Sequence, residues 1–316
     1  MATAVGTGTG TTSGQVQKKR WLTMSRREAL FCYLFISPWV IGFIIFTLGP
    51  IIASLYFSFN DYAVVAPAEW VGLKNFERLF TGDDLFWKSL WNTFYYVALG
   101  VPLRIVFAFA LATLLNQQIR GRLFYRVAYY MPSIIPGVAS AVLWIILLNP
   151  RLGLINLVLS LFGIDGPNWL GSPDWSKPAL IMMSLWGVGG TMILYLAGLQ
   201  GIPESLYEAA DIDGASRWKK FWNVTIPLMT PTILYNLILQ IIGSFQVFSS
   251  AFIMTGGGPL NSTRFYMLHL YNYAFEYFKM GYASALAWVL FVIIMIFTLI
   301  TLRSSQVWVF YAGERQ

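Results

Sequence analysis

Charge is scarce in this sequence. Of 316 residues, 11% are charged and 57% are apolar, whereas a soluble domain carries about 25% charged residues because its surface faces water. The shortage excludes an ordinary soluble surface, and no polar block is long enough to form a separate soluble domain. Cysteine is nearly missing: Cys32 is the only one. That excludes an internal disulfide framework, and its place in an apolar run suggests a small buried hydrophobe. The single histidine, His269, nearly excludes His-based metal catalysis, and a packed ring is its default reading. No HExxH and no Ser/His/Asp set is present. Gly256-Gly257-Gly258 lacks the Lys and the strand–loop–helix setting of a phosphate loop, which argues against nucleotide binding.

What is abundant points to a bilayer. Aromatics make up 17%, with 13 Trp, in keeping with two interfaces where amphipathic rings settle. Six apolar runs reach the roughly 20 residues that a span needs: 29–59, 89–115, 123–148, 179–199, 231–254 and 283–302. Pro38 and Pro50 are expected to kink the first. These runs contain no Asp or Glu, which counts against an ion-coupled secondary transporter, since such proteins place carboxylates within spans.

Orientation follows from the basic residues, which resist translocation. With the amino terminus inside, the inner side holds Lys18, Lys19, Arg20, Arg26, Arg27, Arg120, Arg122, Arg126, Arg217, Lys219, Lys220, Arg303 and Arg315. The outer side holds Lys74, Arg78, Lys88, Arg151, Lys177, Arg264 and Lys279, while Arg104 falls inside a span. The net charge of +7 is thus a topology signal and gives no evidence for nucleic acid. Both termini are expected in the cytoplasm: a basic, disordered tail over 1–28, a transmembrane region over 29–303, and a tail over 304–316. Between spans three and four, Gly153 to Ile164 repeats apolar residues at helical spacing but is too short to span, so it should lie at the outer surface.

Residues 200–230, between spans four and five, form the longest inner loop. Glu204 complements a helix start behind Pro203, and Asp213-Gly214 is a stop-and-turn signal. A second helix sets Trp218, Phe221 and Trp222 on one face, with Lys219 and Lys220 pointing away and Pro227 ending the segment. Connections without a role are typically about 4–6 residues. Small residues at Ala209, Ala210, Gly214 and Ala215 would let a soluble partner approach, with Glu208 adding one charge for orientation.

Glu208-Ala209-Ala210-x-x-Asp213-Gly214-Ala215, with Phe221, Pro227 and Pro231 downstream, resembles the EAA loop of ABC importer permeases. Weaker matches run in order from about Phe31 onward: Val71 to Phe76, Asn92-Thr93, Tyr130-x-Pro132 with Trp144, Gly153 with Asn156, Thr255 to Pro259, and Gly281-Tyr282-Ala283-x-Ala285. Together they resemble the maltose and glycerol-phosphate type of permease. The resemblance implies an all-α, six-span bundle of the type I ABC importer permease fold, in the cytoplasmic (inner) membrane of a prokaryote. It implies a non-catalytic subunit that moves a sugar or related polyol. Its expected partners are cytoplasmic ABC ATPase subunits, a second homologous permease, an extracytoplasmic solute-binding protein and membrane lipid. No cofactor is expected in this chain, ATP and Mg belonging to the ATPase. Glu208, Ala209, Ala210, Asp213, Gly214, Ala215, Phe221 and Pro227 are the coupling positions it implies.

A sugar crossing a bilayer must exchange water hydrogen bonds for protein ones, so its path needs polar side chains. In span five, Asn236, Gln240 and Ser244 fall within about 80° of one another, with Ser250 nearby and Phe245, Phe248 and Phe252 opposite. This face either lines a path or joins helices. Arg104 sits roughly 16 Å from the inner end of span two, too deep to snorkel easily. It either contacts substrate or the partner permease, or pairs with helix carbonyls.

Overall fold

The computed structural model describes residues 24–310 together with Gly6, Gly8 and Gly10. Most of the expected 1–28 tail, with Lys18, Lys19 and Arg20, lies outside the described residues, as does Arg315.

Two compact units meet in the chain at Ala53–Ser54. The first contains α1 (Met24–Phe43), a π-turn over Ile44–Leu48 and the start of α2 (Gly49–Ser58). Helix α1 starts five residues ahead of the expected span and buries none of its residues. Cys32 is accordingly exposed.

The second unit opens with a short antiparallel pair, β1 (Asn60–Asp61) and β2 (Glu69–Trp70). Helix α3 (Lys74–Thr81) comes next, then α4 (Asp84–Asn116), whose first turn is capped by the Asp83 carboxylate accepting from Phe86 N–H at 3.1 Å. The next two expected spans are each broken. Helix α5 (Arg122–Ile134) and α6 (Gly137–Leu147) bend by 103°, and α8 (Pro173–Trp186) and α9 (Gly189–Gln200) by 48°. Between the pairs lies α7 (Leu154–Leu161), the short helix expected from its spacing.

The 103° bend departs from the continuous span read in the sequence. Ile135 precedes Pro136 and is extended (φ −67°, ψ 130°), the conformation that the proline ring imposes on its predecessor. At the second break, a Cβ on Gly189 would strike the Tyr129 carbonyl oxygen. Close approach is thus required at Gly189, while Gly190 has open space around it.

After α9 come α10 (Glu204–Ile212), α11 (Arg217–Lys220), a π-turn over Phe221–Thr225 and α12 (Ile226–Phe245). The chain continues through α13 (Ser249–Met254), α14 (Tyr266–Tyr271), a π-turn over Asn272–Glu276 and α15 (Met280–Trp308). Helix α15 outlasts the expected sixth span and stays helical through residues 304–308. Among the described residues, four continuous helices are long and apolar enough to cross a membrane, the first being Met24–Ser58, and up to six if each bent pair is one span.

Three buried clusters organise the second unit, with α4 packed along α8, α9, α12 and α14. One cluster joins Phe109, Leu115, Tyr195, Leu199 and Met229, where α4, α9 and α12 converge, with Phe221 packed against it.

Candidate functional site

The elbow between α9 and α12 is built largely as its sequence indicates. Pro203 is the residue immediately before α10, and Glu204 is the only acid of its first turn. At the other end, Gly214 is left-handed (φ +68°). Its N–H donates to Asp211 O at 3.0 Å, and Ala215 N–H reaches back to Ala210 O at 2.9 Å. This pair of bonds is the Schellman stop, and its left-handed position is the one glycine occupies without strain. Ser216 then caps α11, accepting from Lys219 N–H.

Three features of the elbow differ from the sequence reading. Pro227 does not end the segment: the chain stays helical from Arg217 to Phe245. Proline has no N–H to offer the residue four back, and the turn just before it loosens to i→i−5, with Ile226 N–H donating to Phe221 O. The same device occurs in the first unit, where Gly49 N–H donates to Ile44 O one residue before Pro50. Second, Lys220 does not point away but pairs with Asp211 at 2.7 Å. Third, Tyr207 and Thr225 share a hydroxyl bond of 3.0 Å. The last two contacts clasp α10 to the long helix, and residue spacing along the sequence carried no signal for either.

Trp218, Phe221 and Trp222 do share a face, with ring centroids 5.6–5.9 Å apart. Phe221 also meets Phe109 of α4 at 6.2 Å, which ties the elbow to the bundle. Glu208, Ala209, Asp213 and Gly214 are exposed, Ala210 and Ala215 half-buried. Ile212 is 87% exposed and Leu206 42%, an apolar surface on a charged elbow that its own chain leaves open.

The second group lies on α12. Asn236 is buried and donates to Thr232 O at 2.9 Å. Gln240 donates to Thr191 Oγ1 of α9 at 3.1 Å. Ser244 donates to Gln240 O and accepts from Arg104 Nη2. Arg104 also donates from Nε to Gly100 O at 3.1 Å, and its guanidinium lies 5.6 Å from the Tyr96 ring. Of the expected stripe, Ser244 alone meets Arg104, which the sequence placed in a different span, while Gln240 joins α12 to α9.

Helix α12 stops at Phe245, so Ser250 belongs to α13 and not to that stripe. The expected Phe cluster divides in two for the same reason. Phe245 packs on Phe94 and Phe297, while Phe248 stacks on Phe252 and Tyr271. Ser250 instead lines a cavity of about 230 Å³ with Tyr96, Ser140, Ser184 and Trp186.

The third group escaped sequence reading. His269 is fully buried, and its Nε2 meets Asp83 Oδ2 at 3.0 Å. Arg264 Nε–H donates to His269 Nδ1 at 3.2 Å, and Tyr282 O–H donates to the same Asp83 oxygen at 2.7 Å. Burial pushes the imidazole down to about 4, against the pull of Asp83 and with the help of Arg264. Burial alone would raise the Asp83 carboxyl, but Tyr282, His269 and Phe86 N–H together hold it below the ordinary value. A neutral imidazole therefore donates Nε2–H to a carboxylate.

Phe265 and Tyr266 are fully buried beside this network, so these aromatics belong to the core. Asn92 and Thr93 hold the same loop: Asn92 donates to Asn261 O at 2.8 Å, and Thr93 Oγ1 accepts from Tyr266 N–H at 2.9 Å.

Comparison with known proteins agrees with this architecture. Residues 100–308 match the family model described as "Binding-protein-dependent transport system inner membrane component". The chain is 43% identical to the probable ABC transporter permease protein YesP of Bacillus subtilis, over 98% of this chain and 100% of that one. It is 34% identical to the trehalose/maltose transport system permease protein MalF of Thermococcus litoralis, over 89% and 95%. It also superposes on a chain of a bacterial ABC transporter involved in the import of the acidic polysaccharide alginate, at TM-score 0.79 and 26% identity, over 89% of this chain and 96% of that one. These comparisons lend the ion-coupled alternative no support.

Proposed function

Because this chain belongs to the family of binding-protein-dependent transport system inner membrane components, we propose that it carries a sugar through the membrane for an ATPase that it grips with the α10–α11 elbow. The fold is the all-α, polytopic one of type I ABC importer permeases. The observation that carries the coupling role is the elbow itself. It is ordered by a Schellman stop and two clasps, yet leaves Glu208, Ile212 and Asp213 exposed. A helix held so firmly with its apolar side uncovered suits docking into a groove of another protein.

In this reading the elbow faces the cytoplasm, as do both termini, and ATP with Mg binds the partner. Closure of the ATPase would push α10. Because α11 runs without interruption into α12, the push would reach Ser244 as rigid-body motion of one helix. Glu208 serves as the charged anchor, Gly214 sets the turn, and Phe221 passes the load to Phe109. A second homologous permease and an extracytoplasmic solute-binding protein complete the assembly. The path is the α12 face of Asn236, Gln240 and Ser244, with Arg104 opposite. Relatives named for neutral and for acidic saccharides leave the charge of the sugar open.

Glu208→Ala combined with Gly214→Asp should abolish sugar-stimulated ATP turnover by the purified complex. Membrane insertion, read by the yield of helical protein in detergent, should be unchanged. Full turnover in the double variant would remove the elbow from coupling.

A further inference from the structure

Among the described residues, no carboxylate neutralises Arg104. The one pair of charged side chains among those residues is Lys220–Asp211, and the Asp83 carboxylate is held by the neutral His269 and by Tyr282, both sites distant in sequence from α4's middle. Asp84, the one acid of α4, is its first residue, about 30 Å along the helix from Arg104. Placing an arginine at mid-span costs about 2.5–3.5 kcal/mol on insertion scales. What holds this one is neutral: Gly100 O, Ser244 Oγ and the face of Tyr96.

These contacts are one-sided. Ser244 spends its hydroxyl proton on Gln240 O, so towards Arg104 it acts only as an acceptor. Nε and Nη2 are thereby engaged, and no hydrogen bond is formed by Nη1 among the described residues. The guanidinium is oriented along one edge and keeps donors on another, the fork that binds carboxylates and related oxyanions in pairs. Tyr96, which faces the cation, also lines the cavity with Ser140, Ser184, Trp186 and Ser250. Tyr96 thus links the cation to a cavity rich in hydroxyls and aromatic faces, which Arg104 itself does not line. At about 230 Å³ the cavity is smaller than a complete ligand pocket of roughly 300–1,000 Å³, which fits one stretch of a path.

We propose that Arg104 selects for anionic carbohydrate, a sugar bearing a carboxylate, with its acid group on the Nη1 side. Ser244 is the positioning residue. The proposal rests on the α12 face being the substrate path. It deepens that reading by assigning a charge to the cargo.

The test uses the complete complex with its binding protein in proteoliposomes. It measures ATP-driven uptake of digalacturonate and of the same disaccharide with its carboxyls reduced. Wild type should import the acid at least about ten-fold faster, and Arg104→Gln should shrink that preference to within about two-fold. Since the binding protein is unchanged, the difference belongs to the permease. Should the glutamine variant fail to assemble, Arg104→Lys decides: it keeps charge without the fork, so the ratio of acid to neutral uptake should fall several-fold. Equal loss for both sugars, or a wild type without acid preference, overturns the proposal and leaves the importer reading standing. Uptake of neither sugar, together with no ATP stimulation by any saccharide, overturns both.

Discussion

Asp83 and His269 stand 186 residues apart in the chain and meet at 3.0 Å, and their chemistry sets a pH dependence. The unfolded chain protonates His269 near 6.5, the folded chain only near 4. Between those values the unfolded state binds more protons, so stability rises with pH across the window and is lost on acidification. The full shift corresponds to about 3 kcal/mol, of which roughly 2 kcal/mol is lost between pH 7 and pH 5. Asp83 acts in a lower window: its contribution is present above its unfolded value of 3.8 and disappears below that. The Tm of the purified protein in detergent should therefore fall from pH 7 to pH 5. His269→Gln should flatten that slope, even if it lowers Tm at pH 7. Parallel slopes for wild type and variant would contradict the buried neutral imidazole. The sequence showed His269 only as a lone ring, because its partner is the cap of another helix.

At the scale of elements, the elbow and its helix behave as one lever because of two clasps and one continuous backbone. A hydrogen bond contributes about 1 kcal/mol net, so Tyr207→Phe should raise the local opening of α10 roughly five-fold. Hydrogen exchange of the Glu204–Ile212 amides would read this, with α12 amides unchanged. Unaltered exchange in α10 would mean that Lys220–Asp211 alone holds it. Helix stops and turns here were legible in advance: Asp213-Gly214 is a local backbone preference, and local preferences are written in neighbouring residues. Less legible were the 103° bend at Ile135–Pro136 and the continuation through Pro227. A proline removes the same N–H in both places, and the surrounding helices decide whether the chain relaxes into an i→i−5 turn or breaks into a corner.

For the whole molecule, the proposed topology sets the elbow and α7 on opposite sides of the bilayer. In a Cys32→Ala background, Ile212→Cys and Leu152→Cys offer exposed sites, 87% and 90% accessible. A membrane-impermeant maleimide applied to intact cells should label the second and spare the first, with the reverse in inside-out vesicles. Labelling of Ile212→Cys from outside would dismantle the coupling account, since no cytoplasmic ATPase could then reach the elbow.

Class, membrane residence, the number of apolar runs and the elbow's position were determined by the residues alone. Hydrophobicity sums over a window, basic residues mark one side, and a turn needs only its own glycine. Only the tertiary structure decided that Arg104 faces Ser244, that His269 meets Asp83, that Ser250 leaves the α12 stripe, and that Cys32 is uncovered. Each of these is a relation between segments distant in the chain, or a consequence of a helix ending one turn sooner. Spacing within one segment says which way a side chain points; it cannot say what another helix brings to meet it.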